Sequence, residues 1–120
     1  MTSVPTPNAL IRQYGVCTPE VLAGILGYTV RRMATAPVLT GTVVLSEFQP
    51  ERVILLYLDA LRRHAGRHGR PLVEVQQWHI AHELYHGLAE DAGVSPWRLR
   101  ESQADSWADH LLQLTGEKHA

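Results

Sequence analysis

Residues 72–91 read LVEVQQWHIAHELYHGLAED, preceded by Gly69-Arg70-Pro71 and followed by Gly93. Proline at the start and glycine behind the end are the punctuation of a helix, so the sequence predicts one long helix from Leu72 to about Asp91. Within it, residues 79–86 (HIAHELYH) gather three of the chain's seven histidines and one glutamate. On a helix, residues four apart lie on one face, so the imidazoles of His82 and His86 project together. Glu83 emerges about 100° further round and flanks them without competing for the same spot.

Two nitrogen ligands on successive turns, with a carboxylate beside them to take a proton from water, make the HExxH pattern of zinc proteases. In a chain of this composition the pattern would arise by chance roughly 0.03 times. Its placement inside a helix adds to that signal. Two histidines do not complete a catalytic zinc site, which takes a third protein ligand and keeps one position open. The next helical run, expected from Trp97 to about Leu114 behind a Ser95-Pro96 cap, supplies a candidate in Glu101. A turn at residues 93–96 would fold this helix back antiparallel. Asp105, four positions on and on the same side, is placed to accept a hydrogen bond from the far nitrogen of a ligand histidine. Ala104 and Ala108 are small enough to let the two helices approach closely.

Upstream, Thr18-Pro19-Glu20 is a helix start and Gly27 a stop, and residues 8–14 form a short helix closed by Gly15. Residues 28–33 (YTVRRM), 42–47 (TVVLSE) and 53–58 (VILLYL) are β-branched or aromatic runs between turns that carry proline and glycine. They predict three short strands. The third run lacks alternation and can lead directly into the helical stretch DALRRHA. The expected fold is α+β: a small three-stranded antiparallel sheet packed against the HExxH helix and a C-terminal ligand-bearing helix, with one or two short N-terminal helices. Residues 1–7 read as a leader, 8–116 as one domain and 117–120 as a tail.

The chain of 120 residues is 45% hydrophobic and 19% charged, with a formal net charge of -1. That balance implies no strong pull toward nucleic acid or an anionic membrane. The local basic cluster of Arg62, Arg63, His64, Arg67, His68 and Arg70 lacks interleaved aromatics and reads as a solvated helix end. Cys17 is the single cysteine, which excludes an internal disulfide and a thiolate-rich zinc cluster. The first residues, MTSVPTPN, carry neither a basic region nor an apolar run, so the expected address is the cytoplasm, with no membrane partner. The tryptophans at 78, 97 and 107 read as core anchors.

Taken together, Ala81-His82-Glu83-Leu84-Tyr85-His86, then Glu101-Ser102-Gln103-Ala104-Asp105, then Trp107-Ala108-Asp109-His110-Leu111-Leu112 resemble the gluzincins, and most closely the ImmA/IrrE-like small bacterial metallopeptidases. The resemblance spans most of residues 10–114, and only the two helical motifs are specific. It implies Zn2+ held by His82, His86 and Glu101, Glu83 as general base, and hydrolysis of a peptide bond in an intracellular protein, with a transcriptional repressor as the substrate class. Such a site needs an oxyanion helper, for which His79, Tyr57 and His110 are the candidates. Two departures stand out: Tyr85 occupies a position where these families often carry a small residue, and Ser102-Gln103 follow the downstream glutamate. With another ligand offset, Asp105 becomes the rival of Glu101. Two other readings remain open, a zinc-stapled interaction module without catalysis and a helical protein without metal.

Overall fold

The computed structural model describes residues 3–39, 42–43, 46–49, 51–94 and 100–116. The elements follow the punctuation. Thr6 caps helix α1 (Pro7–Tyr14), its hydroxyl accepting from the Ala9 amide at 3.1 Å, and Thr18 caps α2 (Pro19–Ile25) by a 3.2 Å bond from the Val21 amide. Each hydroxyl satisfies an amide that a helix start leaves orphaned. Pro7, expected in the leader, is therefore the first residue of a helix, because a fixed φ and a missing N–H suit that position.

Among the described residues five strands follow: β1 (Thr29–Met33), β2 (Val38–Leu39), β3 (Thr42–Val43), β4 (Ser46–Gln49) and β5 (Val53–Tyr57). The β2 and β3 segments form a small antiparallel pair of their own, so the stretch read as a turn, 36–41, holds part of a hairpin. The main sheet has the order β1-β5-β4, with β1 parallel and β4 antiparallel to β5. The sheet is thus mixed, which corrects the expectation of an antiparallel one. Burial supplies the reason. Ile54, Leu55, Leu56 and Tyr57 are all buried, whereas β1 is mostly exposed and β4 half-buried. A strand apolar on both faces needs the centre of a sheet, and with β4 joined to β5 by a tight turn, β1 takes the remaining edge in parallel.

Helix α3 (Leu58–His68) continues straight from β5 and stops at Gly69, whose positive φ of 63° turns the chain away. Helix α4 (Leu72–Asp91) is the predicted central helix, closed by Gly93 at φ 69°. Helix α5 (Arg100–Thr115) packs along it; the expected Ser95-Pro96 cap and Trp97 start lie outside the described residues. Ala104 and Ala108 are fully buried in that interface, as their size allows. On the outer side of α5 the Trp107 indole donates to the Pro5 carbonyl at 2.9 Å, which ties the N-terminal segment across it. Among the described residues no helix is long and apolar enough to cross a membrane.

Candidate metal centre

Helix α4 is covered on most sides, and a covered helix should hold no unpaired polar groups. Yet Glu74, Gln77, His82 and Glu83 are all buried on it. Gln77 is explained by packing, since its side-chain oxygen accepts the Glu20 amide of α2 at 3.0 Å. Glu74 accepts from Arg70 at 2.6 Å. The other two mark the site.

His82 and His86 lie on the face toward α5, their rings 4.9 Å apart. Opposite them stands Glu101. Its Oε2 is 2.7 Å from His86 Nε2 and its Oε1 is 3.3 Å from His82 Nε2. Ligand atoms of these three residues all lie within 4.8 Å of one another, and the group could hold a metal ion. His82 is buried, His86 half-buried and Glu101 exposed, so the cluster opens to solvent on the α5 side. Asp105 stands behind His82 rather than in front: its Oδ1 is 2.9 Å from Nδ1, the nitrogen turned away from Glu101. The contact is out of line for a hydrogen bond, which leaves Nδ1 a buried nitrogen without one. One turn further along, the Trp78 indole stacks on His82 at 5.3 Å and donates to Asp109 at 2.8 Å. The two helices therefore meet rung by rung, His86 with Glu101, His82 with Asp105 and Trp78 with Asp109, in one antiparallel register.

Glu83 lies beside this cluster, on the flank of α4 that meets β4. Its Oε2 accepts from the Ser46 hydroxyl at 2.6 Å, and Ser46 Oγ lies 3.0 Å from His79 Nδ1. With the serine proton committed to the carboxylate, Nδ1–H of His79 is the donor to the serine oxygen. This relay fixes one carboxylate oxygen, Oε2. Burial is the main cause that raises the pKa of Glu83, opposed by the Ser46 hydrogen bond and the two imidazoles. Burial likewise pushes His79 down to about 3, so its ring is neutral. Sequence reasoning misses Ser46; the only hint is a small polar residue in an otherwise apolar run, and its partner is 37 residues away.

The oxyanion candidates are engaged elsewhere. The Tyr57 hydroxyl donates to Glu47 at 2.8 Å, with a pKa pushed up to about 12 chiefly by burial. His110 sits against Asn8 of α1, and His79 is bound to Ser46. The polar partners of all three thus lie outside the set of His82, His86 and Glu101. Tyr85, which could have narrowed the cleft, turns aside: it is buried, its hydroxyl donates to Gln103 at 2.9 Å and its ring packs near Trp107. The chain matches no protein-family model, no curated protein and no solved structure.

Proposed function

We propose that the chain is a zinc-dependent metallo-endopeptidase of the gluzincin type, akin to the ImmA/IrrE-like enzymes, acting on an intracellular protein such as a transcriptional repressor. One observation carries this reading: the imidazole Nε2 atoms of His82 and His86 converge on Glu101 while Glu83, between them in sequence, presents a buried carboxylate. Two imidazoles and one carboxylate are the donor set of a catalytic zinc site with an open position. Hard cations such as calcium take oxygen ligands throughout, which disfavours them here. The proximity of Asp105 Oδ1, 2.9 Å from the far nitrogen of His82, also fits, because a ligand histidine commonly has that nitrogen beside a carboxylate.

Zinc held by these residues acidifies water and polarises a carbonyl. The remaining work belongs to the chain. Glu83 Oε1 accepts a proton from the attacking water and returns it to the leaving amine as the C–N bond breaks. Ser46, through Oε2, and His79, through Ser46, are positioning residues that hold this carboxylate in one orientation. Asp105 orients His82.

The test is Glu83→Gln, with zinc content and cleavage of unfolded protein measured on the same preparation. The expected result is one zinc per chain with cleavage reduced about 10²- to 10⁴-fold. Undiminished cleavage would overturn the reading. A wild type that binds zinc but cleaves nothing, and that unfolds when His82 is replaced by alanine, would instead identify a zinc-stapled interaction module.

A further inference from the structure

A cavity of about 600 Å³ lies beside the metal centre, between α3, the N-terminal half of α4 and the C-terminal half of α5. Its size is in the range of small-molecule pockets. Trp78 joins it to the site, lining the cavity while stacking on His82. His79 also lines it and reaches Glu83 through Ser46. Four of its wall residues carry planar rings, His64, His68, Trp78 and His79, packed edge or tilted against one another: His64 is 4.3 Å from His68 and 6.1 Å from His79, and His79 is 5.0 Å from Trp78. Val75 and Leu112 complete an apolar floor.

Each charged group on the walls already has a partner. Arg70 and Glu74 are paired at 2.6 Å, and the second oxygen of Glu74 is buried beneath that pair without a hydrogen-bond partner of its own. Asp109 accepts the Trp78 indole N–H, which also fixes the plane of that ring. A cationic ligand would have to displace Arg70 from Glu74 or compete with the indole for Asp109, and an anionic one would find Arg70 neutralised. What remains on offer is ring faces and edges over aliphatic carbon, a surface suited to offset and edge-on aromatic contacts.

We infer that this cavity receives an aromatic side chain of the peptide substrate, next to the bond that is cut. The inference rests on the peptidase reading, and the experiment separates the two. Gln113, exposed on the cavity rim, is replaced by tryptophan to fill the space, leaving the ligands and Glu83 untouched. N-acetylphenylalaninamide, N-acetyllysinamide and N-acetylaspartamide are titrated into the metal-free full chain and followed by NMR. The phenylalanine amide should shift the His64, His68 and Trp78 signals in the wild type and not in Gln113→Trp, and the other two amides should leave them in place. With zinc added, a random decapeptide library should be cut with aromatic residues enriched at one position near the cleaved bond. In Gln113→Trp that enrichment should fall roughly tenfold or more, with zinc stoichiometry and cleavage of other peptides retained. A larger response to the lysine or aspartate amide, or cleavage with the same residue profile in both proteins, overturns the inference and leaves the peptidase reading intact. Absence of cleavage while the phenylalanine amide still shifts those rings overturns the peptidase reading, and with it the substrate assignment.

Discussion

Helix α4 has two working faces that obey different rules. The face toward α5 is built from polar rungs whose carboxylates stay in water: the Glu101 side chain is 62% exposed and that of Asp105 53%. Exposed ion pairs contribute little to stability, so these rungs add little to the fold by themselves. The face toward the sheet is closed. There Glu83 is held by Ser46, and Gly87 sits against Tyr28 and Phe48, where an added Cβ would fall 2.6 Å from the Tyr28 ring and 2.8 Å from the Phe48 ring. The first face gathers groups that could hold a metal ion and the second is mostly packing, with Glu83 at the boundary between them, and a substitution should act through whichever face it touches.

The largest effect is expected from acid on the closed face. His79 stays neutral in the fold down to about pH 3, whereas the unfolded chain takes up a proton there near pH 6.5. Its contribution is complete above pH 6.5 and is lost as pH falls, at about 1.4 kcal/mol per unit through the window between those values. In His79→Asn, which keeps an N–H for Ser46 but does not titrate, urea unfolding between pH 7 and pH 4 should show a shallower acid decline. Parallel curves for the two proteins would break the assignment of acid sensitivity to this face.

The open face should respond to metal instead. Zinc at a hundredfold excess over its dissociation constant should raise wild-type stability by about 2.7 kcal/mol. In Glu101→Ala most of that increment should vanish, while the metal-free stability should stay within about 0.5 kcal/mol of wild type, as for an ordinary surface change. A large loss in the metal-free variant would show that the rung is structural after all. The third effect concerns packing alone. Gly87→Ala should cost about 1–3 kcal/mol in urea unfolding by overpacking Tyr28 and Phe48, with zinc affinity little changed, since the glycine faces away from the ligands.

The two faces were also unequally legible in the sequence. The extent of α4 and the shared face of His82 and His86 follow from local signals: Pro71 and Gly93 mark the ends, and four-residue spacing sets the face, whereas Glu101 needs the fold-back of a second helix. The neighbours of the closed face are not local. That β5 would slip between β1 and β4 depends on which strand can be covered on both sides, a property of the finished sheet rather than of any one run. The same holds for Ser46, whose role exists only once β4 lies over α4. Trp78, read as a core anchor, does pack against the core, but it is half-buried and also stacks on His82 while donating to Asp109, a partner on another helix that no local signal names.

The bond from Trp107 to the Pro5 carbonyl links residues 102 apart in sequence. During synthesis α1 therefore lacks its main packing surface until α5 has left the ribosome, and closing a loop of that length is slow compared with forming either helix. Both histidines are made before the carboxylate that completes their set. A nascent chain would thus carry the imidazoles without their third partner, and the competence to grip a metal would arrive only with the last helix, in the same event that clasps the two ends of the domain together.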